Sequence, residues 1–237
     1  MSTKLPEKDG ELRFLDGLAR ATSRRSFLQW SGVTLAVAAV GCSDSTTSNT
    51  TPNPSGSVDL GTGDTGVLNY AYALEQLEAA FYTQVVAGAY FSGAPAAEQT
   101  ILTDIKNHEV IHRDFLKAAL GSKAIADLTV DFTSVNFGDR ASVLGTARTF
   151  EDLGVAAYNG AGHLITSPDY LLIAGKIVSV EARHAAAIRD LLQPASFAAS
   201  DVVDANGLDK ANTPAEVLAA ADPFITTTVT ANNLPTT

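Results

Sequence analysis

From about residue 65 to residue 193, apolar positions recur every three to four residues, the period of a half-buried helix, and the rhythm predicts four helices. The first spans about Thr65–Tyr90, with Leu68, Ala71, Glu75, Tyr82 and Val86 on one stripe. The second spans about Ala96–Leu120 and stops at Gly121, a residue type favoured just past a helix end. The third spans about Arg140–Ile165. The fourth starts after Ser167, a capping residue, with Pro168 in its first turn, and ends near Gln193, before Pro194. Each is about 25 residues, or roughly 37 Å, long.

The connections arrange these helices. A few residues join the first to the second and the third to the fourth, which makes each pair an antiparallel hairpin. The connection between the pairs, "GSKAIADLTVDFTSVNFGD", has β-branched residues and glycine but no helical period. It is long enough to run back along a helix. The fold class is therefore all-α: a four-helix bundle over residues 66–193, built as two antiparallel hairpins joined by a long crossover. Residues 194–237 form a C-terminal extension with one short helix, where Thr213 and Glu216 read as a capping box and Pro214 as the first helical residue. The extension is expected to pack on the bundle, and it would supply the interface if the protein forms a homo-oligomer.

The N-terminal third reads differently. "SRRSFLQ" places Arg24 and Arg25 before an apolar run from about Trp30 to Val40 that is too short to span a bilayer. The segment resembles a twin-arginine export signal, departing from it at Gln29, and "AVGC" resembles a lipobox that would lipidate Cys42, with Ala39 where Leu is usual. The resemblance implies an export signal over residues 1–42, with Cys42 as the lipidation site or simply near a cleavage site. Residues 43–65, rich in Ser, Thr, Gly and Asn, are a flexible linker. The expected location is extracytoplasmic or periplasmic, with a lipid anchor at Cys42 as the sole membrane contact. Cys42 is the single cysteine, so no intramolecular disulfide forms. The net charge of −10, with no basic cluster, argues against a nucleic-acid partner.

Chemistry enters with a repeated spacing. "EVIH" (Glu109, His112) in the second helix returns as "EARH" (Glu181, His184) in the fourth. "EQLEAAFY" (Glu75, Tyr82) in the first returns as "EDLGVAAY" (Glu151, Tyr158) in the third. Residues three apart lie about 60° apart around a helix, so each Glu-x-x-His pair converges on one inward point. Residues seven apart share a stripe, so each Tyr can donate to a carboxylate from a neighbouring helix. Four carboxylates and two imidazoles facing a bundle interior are too costly to leave ionised and empty. Two divalent cations balance them, as in ferritin-like dimetal bundles. Glu78 competes with Glu75 for the inward position, and Glu75 is preferred because Val85, not Tyr, lies seven beyond Glu78. His108 and His163 fall about 100° or more from the ligand stripes and read as bystanders, at most outer-shell groups. Gly154, Gly160 and Gly162 offer room for close helix approach or ligand access, or mark a loosely packed turn.

Residues 66–193 resemble a ferritin-like domain, and "LNYAYALEQLEAAFYTQV" with "EVLAAADPFI" resembles bacterial ferritin-like proteins of the desiccation-related type. The resemblance implies Glu75, Glu109, His112, Glu151, Glu181 and His184 as metal ligands, with Glu109 and Glu181 bridging two ions. His112 and His184 would each bind one ion, Glu75 and Glu151 would be terminal, and Tyr82 and Tyr158 would support the ligands. It implies two iron or two manganese ions meeting O2 or hydrogen peroxide. The corresponding activities are ferroxidase, peroxidase, oxygenase or, by similarity to manganese catalases, peroxide disproportionation. If the chain is an enzyme it is an oxidoreductase on Fe(II), O2 or peroxide. The alternative is a non-catalytic stress-related structural or interaction protein built on the same bundle.

Overall fold

The computed structural model describes residues 56–236. Arg24, Arg25 and Cys42, with the export and lipidation expectations resting on them, lie outside the described residues. In chain order the elements are strand β1 (Ser57–Asp59), helices α1 (Gly63–Ala87), α2 (Ala89–Gly93), α3 (Ala96–Leu120), α4 (Arg140–Ala161), α5 (Pro168–Leu192) and α6 (Pro214–Ala221), and strand β2 (Thr228–Thr230). Short 3-10 turns follow α3, α4 and α6. α1 packs along α3, and α4 along α5, so the two expected hairpins of an all-α bundle are present.

The helix ends follow local chemistry. α3 ends where Gly121 takes a φ of 56°, which costs glycine little. α5 begins at Pro168, capped by the Ser167 side chain accepting from the Tyr170 N–H. Asp139 caps α4 by accepting from the Ser142 N–H at 2.8 Å. Asp64, in the first turn of α1, reaches across to accept from the Thr166 and Ser167 N–H groups, which ties the starts of α1 and α5 together.

Three sequence expectations need correction. The first helix stops at Ala87 rather than Tyr90, because the chain turns extended at Gly88, where a side chain would lie 2.7 Å from the Phe137 carbonyl oxygen. Tyr90 then donates its N–H to that same carbonyl at 3.1 Å. The third helix stops at Ala161 rather than Ile165 and finishes in the 3-10 turn Gly162–Leu164. Residues 57–65 are not part of a free linker: β1 pairs in parallel with β2, Leu60 is fully buried, and α1 begins at Gly63.

The crossover lies along α1, and polar side chains of that helix satisfy its backbone. Asn69 donates to the Leu60 and Lys123 carbonyls and accepts from the Ile125 N–H, while Gln76 accepts from the Leu128 N–H. Backbone groups of a connection that pack against a helix need such partners. Phe132 and Phe137 of the crossover join Phe81, Phe150 and Phe224 in one aromatic cluster. The C-terminal extension closes over α4. Its short helix carries the expected capping box at Thr213 and Glu216, and Asn212 donates to the Ala156 carbonyl beside Gly160. Among the described residues, no helix is long and apolar enough to cross a membrane.

Candidate metal centre

α1 and α4 each contribute one glutamate to a common cluster, and α3 and α5 each contribute a glutamate and a histidine. The helical period places these residues on inward stripes, and the packing seals them. Glu75, Glu109, Glu151 and Glu181 are at most 1 % exposed, and His112 and His184 are buried as well. All six residues named from the sequence come together, in two overlapping groups that can hold a metal ion. Glu75, Glu109, His112 and Glu181 form one; Glu109, Glu151, Glu181 and His184 form the other. Glu109 and Glu181 belong to both.

The distances have an approximate twofold pattern. His112 Nδ1 lies 2.8 Å from Glu181 Oε1 and 3.5 Å from Glu75 Oε2. His184 Nδ1 lies 2.8 Å from Glu109 Oε1 and 3.4 Å from Glu151 Oε2. Despite these short separations, eight atoms in the cluster have no aligned hydrogen bond: both oxygens of Glu109 and of Glu181, one oxygen each of Glu75 and Glu151, and the two Nδ1 atoms. They lie side by side rather than donor to acceptor. Atoms bound at about 2.1 Å to one ion at right angles sit roughly 3 Å apart, which is the spacing of a ligand shell. The donor set, carboxylate oxygen with imidazole nitrogen, is one that divalent metal ions accept.

The remaining oxygens of the outer glutamates are held in place. Tyr82 of α1 donates to Glu151 Oε1 at 2.5 Å, and Tyr158 of α4 donates to Glu75 Oε1 at 2.6 Å. The two hydrogen bonds cross between α1 and α4, each helix supporting the other's carboxylate. Burial, and then the adjacent carboxylates, push both tyrosines well above their usual range, so they stay protonated donors.

Electrostatics reflect the crowding of like charges. Burial, followed by Glu181, pushes the Glu109 carboxyl up. Burial pushes Glu151 up to about 7, against the opposing pull of His184. Burial works against a charge on His112, but Glu109, Glu181 and Glu75 outweigh it and push the imidazole up to about 12. A cluster free of cations therefore holds protons in their place.

Two neighbours add to the sequence reading. Glu78, the rejected competitor of Glu75, is buried and belongs to neither group. Its carboxylate occupies the space beside Gly154, where a side chain would lie 3.1 Å from Glu78 Oε1 and 3.8 Å from Glu181 Oε2. His108 is the group that sequence reasoning underrated. Its Nδ1 lies 2.9 Å from His184 Nε2, which corrects the bystander reading in favour of an outer-shell one. Its angle around α3 points it away from the stripe of its own helix, but α5 runs alongside. His163 lies exposed in the turn after α4, away from the cluster.

No curated protein matches the chain significantly. The ferritin-like domain family covers residues 63–194, from the first residue of α1 to just beyond the last of α5, and the chain belongs to that family.

Proposed function

We propose that the chain is an exported protein whose bundle holds a carboxylate-bridged pair of iron or manganese ions and applies them to Fe(II), O2 or hydrogen peroxide. The observation that carries this reading is the set of eight buried ligand-type atoms left without hydrogen bonds in two overlapping groups. Glu75 and His112 would serve one ion, Glu151 and His184 the other, and Glu109 and Glu181 would bridge. A redox-active pair bound there would relay electrons, from Fe(II) to O2 or peroxide in ferroxidase chemistry or from one peroxide to another in catalase-like chemistry. The chain's own residues define what surrounds it. Tyr82 and Tyr158 hold one oxygen of each outer glutamate, leaving the other aimed inward, and the packed helices exclude bulk water.

The test is metal analysis of purified protein. About two ions per chain are expected, and Glu109→Ala, which removes a carboxylate shared by both groups, should lose them together. Protein that purifies empty and takes up neither iron nor manganese would sink the reading. A second reading, a stress-related structural or interaction protein in which metal serves only stability, is favoured by how closed the cluster is: none of its six residues exceeds 9 % exposure. Metal uptake that raises the unfolding temperature without O2 consumption or peroxide decay would establish that second reading. Export belongs to the proposal through Arg24–Arg25 and, for anchoring, Cys42. Changing both arginines to lysine should leave precursor in the cytoplasm, and normal export of that variant would remove this part.

A further inference from the structure

His112 and His184 occupy matching positions 72 residues apart, as do Glu109 and Glu181. The surroundings behind the two imidazoles do not match. His184 turns Nδ1 into the cluster and Nε2 outward, where it meets Nδ1 of His108 on α3 at 2.9 Å. The two rings are within 8° of parallel and their centres are 5.1 Å apart. Parallel rings whose edge nitrogens touch while their centres stay that far apart lie side by side, not face to face. The lone pair of one nitrogen then points along the N–H of the other, as a good hydrogen bond requires. The position on α5 that matches His108 is Val180, which has no polar group to offer. The contacts of His112 all run through Nδ1, so its outer nitrogen has no partner among the described residues.

We propose that His108 is a positioning residue for His184 and makes the two metal positions unequal, so that the ion beside His184 is held more tightly than the ion beside His112. The proposal rests on the dimetal reading above. A neutral imidazole that binds metal through Nδ1 carries its proton on Nε2. His108 Nδ1 accepts the hydrogen bond from that proton, which fixes both the tautomer and the plane of the His184 ring. The same hydrogen bond makes the ligating nitrogen more basic. His108 then carries its own proton on Nε2, and its exposed position lets that proton be solvated. His112, with Val180 in the matching place, has neither constraint. The ligand shell is symmetric, but the support behind it is one-sided.

The experiment titrates the full, metal-stripped protein with Co(II), followed by visible absorption and calorimetry. Two ions should bind per chain in two resolved steps. His108→Leu should weaken one step by about 10- to 100-fold and leave the other in place. His108→Gln, whose amide oxygen still accepts a hydrogen bond, should recover most of that loss. Val180→His, which installs a partner for His112, should strengthen the weaker step and draw the two together. The proposal is overturned if His108→Leu weakens both steps alike or neither, or if His108→Gln binds as poorly as His108→Leu. Wild-type protein that takes up no cobalt overturns the dimetal reading itself, and this proposal with it, so the two failures are distinguishable.

Discussion

The two hairpins repeat each other at the ligands and part company directly behind them. Glu75 and Tyr82 on α1 answer Glu151 and Tyr158 on α4, each pair 76 residues apart, and the tyrosines cross to support each other's glutamates. One turn on, the match fails: the counterpart of Glu78 is Gly154, and that of Gln84 is Gly160. On the other pair of helices the counterpart of His108 is Val180. Each mismatch has a spatial reason. The Glu78 carboxylate fills the room Gly154 leaves. Gln84 is exposed, whereas a side chain at Gly160 would lie 1.7 Å from the Asn212 carbonyl oxygen of the extension. A symmetric ligand shell needs only a repeated spacing. A single chain has one crossover and one tail, so the surfaces those segments cover cannot be equal.

Substitutions at matched positions can break or sharpen this contrast. The largest effect is expected at the docking glycine. Gly160→Ala must push the Asn212 backbone away and should cost about 1–3 kcal/mol, whereas Gln84→Ala, its counterpart, should stay within about 0.5 kcal/mol. Denaturant unfolding of both variants decides it, and equal effects would end the asymmetry argument at this position. Next come the crossing tyrosines, where the halves agree. Tyr82→Phe and Tyr158→Phe should each weaken metal binding by on the order of tenfold, and by similar factors. Titration curves in which only one variant is affected would break the symmetry claimed for the inner shell.

The smallest effect concerns pH in the metal-stripped protein. Burial raises Glu151 from an ordinary value of 4.5 to about 7 in the fold, so the folded state binds more protons than the unfolded chain between those values. Its contribution to stability should therefore be greatest below about pH 4.5 and fall as pH rises towards 7, opposed by Glu181, whose carboxyl is raised by burial but held below its ordinary value by His112 and His184. Glu109 and Glu78, raised first by burial and then by their carboxylate neighbours, act in the same direction as Glu151. Calorimetry should show the unfolding temperature dropping by a few degrees across that range. Glu78→Gln, which removes the carboxylate that has no partner in the second hairpin, should flatten the slope. A slope that Glu78→Gln leaves unchanged would refute the raised Glu78 carboxyl.

Much of this was legible in the sequence, for identifiable reasons. The limits of α3 and α5 are written locally, in Gly121, Ser167 and Pro168, and the structure places them where those residues say. The end of α1 is not local: Gly88 breaks the helix at a point where Phe137, far along the chain, packs against it. The convergence of the six polar residues was readable because one spacing occurs twice and helical geometry turns spacing into direction. Glu78 and His108 were harder. Angle around a helix says where a side chain starts, but a neighbouring helix decides what it meets. Comparing the halves position by position, His108 against Val180, would have flagged the difference without coordinates. Strand β1 left no signal, because three residues with no period pair with three others near the opposite end of the chain.

That strand pair has a consequence for the order in which the molecule closes. Ser57 pairs with Thr228, a separation of 171 residues, and Leu60 donates to the Thr230 carbonyl while its own carbonyl accepts from Asn69 of α1. Contacts so distant along the chain carry a high loop-closure cost and form late. The hairpins can assemble from nearby partners, and Asp64 ties the start of α1 to α5, but the segment leading into α1, from Ser57 to Leu60, is latched only once residue 230 is in place. The last turn of the key is given by the tail.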